Sequence, residues 1–495
     1  MLSKSRYCAF AQCPKKLWLH TYKPQLAAKD PALDARLAEG NAVGDLAMGL
    51  FGDFTEVTAL KADGKLDLAE MIARTSTLIQ KGEHVICEAS FSYNGSYCAV
   101  DILKRERGGY AIYEVKSATA PSDIYAVDIA YQKYVLEQCG IRVTGTYLVH
   151  INSGYVFDGT LKLNEFFTTV DLSAEVAVHM PHIEEEIRKA TAVLALPSEP
   201  TCDLSESCKD PYDCAFWEHC TAHLPKPSVF DLCHFGKKFE YYRKGIVSFD
   251  SLARDKDATK SRLRSLQIDH QLNDLPTHVD RGGIRKFLAT LSFPLYFLDF
   301  ETIRPVIPAF VGTSPYAQIP TQYSLHYLET PDGELKHKEF LAESGKDPRR
   351  DIAEQLCADI PGNVCILAYN KSFECDRLRE LAKCCPDLAT QLEAMADHVK
   401  DLIVPFRSGY YYNRAMNGSS SIKKVLPAVF PNDPALDYHN LTGVQNGGDA
   451  MTLFPKIKDM PPAEQAVARQ NLLKYCELDT FAMVKLWQEL VRAAK

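Results

Sequence analysis

Asp299 and Glu301 stand two residues apart in Tyr296-Phe-Leu-Asp-Phe-Glu-Thr302, a stretch otherwise mostly apolar and aromatic. In a β-strand that spacing turns both carboxylates to one face. Two acids together in an apolar setting need a counter-charge, and a divalent cation is the natural one. The alternative is a strand end whose acids meet solvent. A second group combines Asp101, in Tyr97-Cys-Ala-Val-Asp-Ile-Leu103, with Glu114 and Lys116, in Tyr110-Ala-Ile-Tyr-Glu-Val-Lys116. Glu114 and Lys116 again share a strand face. A third group is Cys202, Cys208, Cys214 and Cys220, evenly spaced by six with polar residues and a proline between them. That pattern reads as metal ligation in a reducing compartment. Its intervals are wider than the C-x₂₋₄-C of zinc ribbons, which leaves zinc as the lesser alternative.

The 495 residues are too many for one compact domain, and the length suggests about three units. With 46% hydrophobic and 24% charged residues the composition is that of an ordinary soluble globular protein. No apolar run reaches the ~18–20 residues a bilayer span needs. Met1-Leu-Ser-Lys-Ser-Arg-Tyr7 lacks a secretory apolar region, so no membrane association and a cytoplasmic location are expected. The net charge of −8 argues against a generally basic nucleic-acid binder. It leaves room for a nuclease, whose acids bind metal while local basic clusters meet phosphate. The 16 cysteines are no disulfide framework in a cytosolic chain of this size, and most read as small buried hydrophobes.

The elements that must position these groups follow from periodicity and turn chemistry. Residues 1–80 read as mainly helical, with Pro14 in a first helical turn and with Glu39 and Asp45 as candidate extra metal ligands, a non-ligand role being favoured. Strands are expected over 84–91, 97–103 and 110–116, separated by Asn94-Gly95 and Gly108-Gly109. A helix over 125–137 and a strand over 143–151 follow, then helical text near 173–194. Residues 225–292 read as a connector of short helices, its basic and aromatic mixture being a solvated face more than a nucleic-acid contact. Beyond the 296–302 strand come a strand at 322–328, a helix at 348–360, a strand at 364–368 and a helix opened by Glu374. Tyr475 and Asp479, four apart on an amphipathic final helix, share one face.

Hairpin strands carrying Asp101, then Glu114-x-Lys116, then a helix with Gln132 and Tyr134, then a strand, resemble the PD-(D/E)xK nuclease superfamily. The resemblance implies a restriction-endonuclease-like fold in which Asp101 and Glu114 hold Mg²⁺ or Mn²⁺. Lys116 would orient water or stabilise transition-state charge, and Gln132 would support the site, as in RecB-like members. Those members carry an upstream histidine, where this chain has Val43-Gly44-Asp45. The cysteines are similar to those of RecB-like nucleases with a [4Fe-4S] cluster, in which one cysteine precedes the core and three follow it. That likeness implies Cys13, Cys208, Cys214 and Cys220 as ligands, with Cys202 the rival for one place.

The second half resembles the DEDDy exonucleases, the ribonuclease H-like 3′→5′ exonucleases of proofreading domains. The likeness rests on Asp299-x-Glu301, Asn370-x-x-Phe-Glu374 and Tyr475-x-x-x-Asp479, in that order. It implies that four carboxylates hold two divalent ions ~3.5–4 Å apart. Asp299 would bridge them, Glu301, Glu374 and Asp479 would complete the shells, and Tyr475 would orient the attacking water. The second motif usually carries Asp where Glu374 stands, and Asp376 is a weaker substitute. Asp401 and Ser419–Pro427 match elements that flank the substrate groove, with Lys423, Lys424 and Arg414 offered to phosphates and Tyr410–Tyr412 to stacking.

As a whole the chain resembles a bacterial two-domain family joining an iron–sulfur RecB-like nuclease to such an exonuclease. The expected layout is α/β throughout: a nuclease domain over 1–224, a connector over 225–292 and an exonuclease domain over 293–495. The expected activity is metal-dependent phosphodiester hydrolysis of nucleic acid, DNA favoured over RNA. The alternatives are an RNA-processing exonuclease, or a nucleic-acid-binding scaffold in which one or both sites have decayed.

Overall fold

The computed structural model describes residues 1–30 and 32–495. The chain is mixed α/β and forms two compact units. The first is Met1–His223 with Pro305–Tyr316, and the second is Leu224–Arg304 with Ala317–Lys495. The division falls one residue from the expected 1–224 boundary. Residues 225–292 belong to the second unit and are no separate connector. Leu263, Ile284 and Phe287 from that stretch are buried in the same core as Phe297, Leu478 and Trp487. The Pro- and Gly-containing run after Glu301 returns to the first unit, where Phe157 donates to the Thr313 carbonyl at 3.0 Å and Gly312 to the Phe157 carbonyl at 2.8 Å.

In the first unit β1 (Leu2–Ser3), β2 (Thr55–Glu56), β3 (Val85–Tyr93), β4 (Ser96–Glu106), β5 (Gly109–Lys116), β6 (Val143–Ile151) and β7 (Phe167–Asp171) make one sheet. Its order is β2-β3-β4-β5-β6-β7, with β1 on β4. The β3–β4 and β4–β5 hairpins turn at Asn94-Gly95 and Gly108-Gly109, where Asn94, Gly95 and Gly108 adopt the positive φ such turns need. The helix Asp123–Gln138 carries the chain across to β6, which is parallel to β5 as a crossover of that length requires. One sheet face buries Ile86, Val100, Ile112 and Leu148 against Ile129, Ala130 and Val135 of that helix.

β4 is longer than its pairing with β5. The ladder ends at Ile102↔Tyr113, and β4 then runs on toward Ser96 with Leu2–Ser3 beside it in parallel, Leu2↔Ser96 and Ser3↔Tyr97. The two strands β4 and β5 thus form a fork just at Asp101 and Glu114.

In the second unit β8 (His278–Val279) pairs with β14 (Tyr411–Tyr412) apart from the main sheet. The main sheet is built from β9 (Leu295–Ile303), β10 (Ile319–Leu328), β11 (Lys336–Leu341), β12 (Cys365–Ala368) and β13 (Val399–Asp401), ordered β11-β10-β9-β12-β13. β9 lies in the middle, antiparallel to β10 and parallel to β12. Its apolar residues fill both faces: Leu295 and Phe297 against the long helix Pro462–Ala494, and Leu298 and Phe300 against helices that include Arg349–Asp359 and Ser372–Cys384. Among the described residues no helix is long and apolar enough to cross a membrane.

Two candidate carboxylate centres and a cysteine cavity

The fork in the first sheet gathers charge. Where β5 leaves β4, the Val115 N–H loses its ladder partner, and Asp101 Oδ2 accepts it at 2.7 Å. Glu114 is fully buried. Lys116 Nζ donates to Glu114 Oε1 at 2.6 Å and to Asp128 Oδ2 at 2.9 Å, and Gln132 Nε2 donates to Glu114 Oε2 at 2.7 Å and to Asp128 Oδ1 at 3.1 Å. Asp128 and Gln132, four apart on the crossover helix, share the face that meets the sheet. Asp101, Glu114, Lys116 and Gln132 therefore come together as the sequence implies. Tyr134 does not join them; it packs at the edge of the core.

Three participants were not evident from the sequence. Lys4, just after β1, enters the fork and donates to Asp101 Oδ1 at 3.1 Å and to Glu114 at 3.0 and 3.2 Å. Asp128 completes the cage around Lys116. Glu88 lies opposite Asp101, between the pairs Cys87↔Ile102 and Ala89↔Val100, with a φ of 57° that a non-glycine residue adopts at a cost. Burial, then the Asp101 charge, pushes its carboxyl up to about 7.

Burial pulls the pKa of both lysines down, but the acids around them more than offset it. Asp101 and Glu114 hold Lys4 well above its ordinary value, and Asp128 and Glu114 do the same for Lys116. Burial pushes Glu114 up, but Lys116 and Lys4 hold it well below the usual carboxylate range. Lys116 is thus a fixed cation, suited to charge stabilisation and not to accepting a proton. A cavity of about 370 Å³ opens beside these groups, lined among others by Lys4, Lys116, Asp128, Lys16 and His20. Asp45 is exposed and Glu39 part-exposed, and neither belongs to a ligand cluster among the described residues.

The second centre forms around β9. Asp299, Glu301 and Asp479 each offer a carboxylate oxygen within 4.8 Å of the others. None of the three has an ion-pair partner among the described residues. The Lys423 charge holds Glu301 down, and the Tyr438 hydrogen bond, then Lys423 and Tyr475, hold Asp479 down. Burial first, and then the neighbouring acids, raises Asp299 well above the ordinary range and Glu301 to about 8. Glu374 stands just outside the three-acid cluster. It is 2% exposed, its Oε2 has no hydrogen-bond partner, and burial takes it to about 8. Asp376 is exposed and does not replace it.

Local structure explains how Glu374 is delivered. Asn370, with φ 69°, turns the chain from β12 into the helix, a conformation asparagine tolerates better than most residues. Its N–H donates to Asp401 Oδ1 at 2.9 Å, so Asp401 ties the turn to β13. On the final helix, Tyr475 and Asp479 face this centre. Burial and three surrounding acids keep the Tyr475 hydroxyl protonated. Sequence reasoning missed Tyr438, whose hydroxyl donates to Asp479 Oδ1 at 2.5 Å and whose ring lies 5.9 Å from that of Tyr475. It also missed Cys476, whose thiol contacts Asp299 Oδ2 at 3.9 Å.

Three buried side-chain oxygens lack a partner among the described residues: Gln132 Oε1, Glu374 Oε2 and Gln322 Oε1. The first two belong to the two centres. Gln322 pairs with Glu301 in the β9–β10 register. An orphaned buried oxygen is costly, and such atoms mark places prepared for a cation or water.

Lys423 lines a cavity of about 700 Å³ with Phe430, Asp437, Tyr438, His439 and Asn446. The other basic and aromatic candidates do other things. Arg414 pairs with Asp274. Lys424 is exposed. Tyr411 donates to Glu489 Oε1 at 3.0 Å, Tyr412 is fully buried and accepts from the Gly418 N–H, and Tyr410 lies under Arg262 and against Gly283. The tyrosine run is packing and is no stacking platform.

Cys13, Cys202, Cys208, Cys214 and Cys220 line one small cavity in the first unit. Cys13 begins the helix Pro14–Tyr22, and the Cys214 N–H donates to the Cys208 carbonyl at 2.9 Å. A tetrahedral zinc site with Zn–S of about 2.3 Å would hold its sulfurs about 3.8 Å apart. Among the described residues no three of these sulfurs lie within 4.8 Å of one another, a spacing wider than zinc requires. Cys202 is next to Cys13 and raises its pKa after burial has done so, which makes it a fifth thiol at the cavity.

Comparison with known proteins places part of this chain among proteins of undefined activity. A family described as a domain of unknown function, DUF2779, matches residues 296–421, from β9 through Asn370 and Glu374 but short of Tyr475 and Asp479. The chain is similar to two uncharacterized mycoplasma proteins: the MG366 homolog of Mycoplasma pneumoniae, 27% identical over 206 residues, and MG366 of Mycoplasma genitalium, 28% identical over 207. Each match covers 38% of this chain and 31% of the relative. The uncharacterized protein UU173 of Ureaplasma parvum is 28% identical over 228 residues, 41% of this chain and 32% of the relative. The chain thus spans about a third of the length of these curated relatives.

Proposed function

We propose that the protein is a metal-dependent nuclease that hydrolyses phosphodiester bonds of nucleic acid at the Asp299 centre, DNA favoured over RNA. The convergence of Asp299, Glu301 and Asp479 with no ion pair among the described residues carries this reading. Buried acids with raised pKa values and no ion pair are costly unless a cation joins them. Asp299, Glu301, Glu374 and Asp479 would hold Mg²⁺ or Mn²⁺, which supplies an activated water and stabilises the leaving oxygen when bound. The Tyr475 hydroxyl, kept neutral, donates a hydrogen bond and orients the nucleophile. Tyr438 fixes Asp479. Lys423 at the cavity mouth meets the phosphate of the strand end. The ribonuclease H-like and DEDDy readings of this unit, with 3′→5′ polarity, belong to the same proposal.

For the first unit the proposal is a PD-(D/E)xK site, with Asp101 and Glu114 as metal ligands, Lys116 stabilising charge and Gln132 supporting Glu114. Lys4 favours a second reading there. Its ammonium already joins Asp101 to Glu114, as it would in a decayed centre kept for structure. Cys13, Cys208, Cys214 and Cys220 would hold a [4Fe-4S] cluster that staples this unit, with zinc the alternative.

Calorimetric titration with Mn²⁺ separates an active second centre from a scaffold. Binding should be lost in Asp299→Ala and Asp479→Ala, together with shortening of end-labelled single-stranded DNA. Unchanged binding and cleavage in both variants would exclude the reading.

A further inference from the structure

His326 on β10 faces His337 on β11 directly across the hairpin, and their rings lie 4.5 Å apart. Glu477, on the final helix, completes a group in which one ligand atom from each residue lies within 4.8 Å of the others. His326 is 5% exposed, whereas His337 is half-buried and Glu477 exposed, so the group runs from the core to the surface. No step proposed for the Asp299 centre uses these residues.

The hydrogen bonds around the group admit a proton arrangement that uses every donor once. His326 Nδ1 lies 2.8 Å from Thr480 Oγ1, and His337 Nε2 lies 3.0 Å from Ser324 Oγ. Ser324 and Thr480, both fully buried, are joined at 2.7 Å, and Thr480 Oγ1 donates to the Glu477 carbonyl at 3.1 Å. Each hydroxyl has one proton. With the Thr480 proton on the carbonyl, Thr480 accepts from Ser324 and from His326 Nδ1–H. Ser324, having given its proton to Thr480, accepts from His337 Nε2–H. The chain closes with every donor used once. In that arrangement His326 Nε2 and His337 Nδ1 keep free lone pairs, and among the described residues neither atom takes part in a hydrogen bond. Neutral imidazoles whose other nitrogen donates to a fixed partner are the form that binds a metal. Burial and then His337 lower His326 to about 4, so it stays neutral at physiological pH.

We infer that His326, His337 and Glu477 form a site for a zinc-class transition metal, separate from the carboxylate centres. Two imidazoles and one carboxylate are a borderline donor set that selects Zn²⁺ over Mg²⁺. Water or the nearby Glu339 carboxylate would take the fourth position. Ser324 and Glu339 are register partners, and Glu339 lies close enough for His337 and Glu477 to affect its charge. Glu477 lies between Tyr475 and Asp479 in sequence but on a different face of the helix. A metal there clamps the β10–β11 hairpin to the helix that carries Tyr475 and Asp479.

The test uses the full chain, stripped with chelator and titrated with Co²⁺ as an optical stand-in for Zn²⁺. Wild type should take up one more equivalent than His337→Gln or Glu477→Gln, each verified as folded by circular dichroism. Asp299→Ala should keep that equivalent. Ser324→Ala should keep the stoichiometry with affinity about 10- to 100-fold weaker, as loss of an outer-shell partner predicts. Equal uptake by wild type and both folded variants overturns the proposal. So does loss of the extra equivalent in Asp299→Ala, which would assign it to the nuclease centre and leave the nuclease reading standing.

Discussion

Tyr438 donates its hydroxyl proton to Asp479 Oδ1 across 2.5 Å, bringing a residue of a short 3₁₀ turn to a carboxylate on the final helix. Burial raises Asp479 to about 6, and the Tyr438 bond is the largest influence holding it down. Tyr438→Phe therefore raises the Asp479 pKa further. Mn²⁺ affinity, read by calorimetry at pH 7, should fall by about one to two orders of magnitude, since a hydrogen bond to a charged group contributes about 1.5–3 kcal/mol. The loss should shrink as pH rises.

Glu301 and Glu374 make metal binding and stability depend on pH in opposite senses. Each is held near 8 against an ordinary 4.5, by burial first. The folded chain binds these protons more tightly than the unfolded chain. Their contribution to stability is full below pH about 4.5 and is lost as pH rises through about 8. A cation replaces those protons. The rise in Tm on adding Mn²⁺ should be larger at pH 8 than at pH 6, and thermal melts at both values check it.

Lys4→Met removes the ammonium between Asp101 and Glu114. Glu114, fully buried, keeps only Lys116 as a counter-charge, so stability in chelator should fall by about 2 kcal/mol or more in a urea melt. Mn²⁺ binding at this centre should strengthen, because the cation no longer competes with Lys4. Titration in an Asp299→Ala background isolates the effect.

The cysteine cavity separates ligands from bystander. Protein purified without air should carry iron and sulfide and absorb broadly in the visible. Cys208→Ser, Cys214→Ser and Cys220→Ser should each lose that absorption, and Cys202→Ser should keep it. One zinc per chain in a colourless protein would replace the cluster with zinc.

Much of the scaffold was legible because turn chemistry punctuates it. Asn94-Gly95 and Gly108-Gly109 mark the hairpins, and β3, β4 and β5 lie where alternation puts them. Asp101, Glu114, Lys116 and Gln132 converge because local strand and helix periodicities fix their faces. Lys4 was not legible: its role exists only because Leu2–Ser3 pairs with a strand nearly a hundred residues away. Glu88 looks like an ordinary strand acid until the register sets it opposite Asp101. Tyr438 lies in a three-residue 3₁₀ turn, too short to carry a period. β11, Lys-His-Lys-Glu-Phe-Leu, has little apolar alternation, so neither the strand nor the facing of His326 and His337 was evident. The tyrosine run is packing, the commoner fate of such a run, because two of its three side chains are core.

The central claim is that Asp299, Glu301, Glu374 and Asp479 carry nuclease chemistry. The direct measurement is degradation of single- and double-stranded DNA and RNA, labelled separately at each end, with Mn²⁺ and with Asp299→Ala and Asp101→Ala as separate variants. Wild type should release nucleotides from the 3′ end. Asp299→Ala should abolish that release at least a hundredfold, and Asp101→Ala should leave it intact. Release that survives in Asp299→Ala, or its absence from wild type on every substrate, would contradict the account.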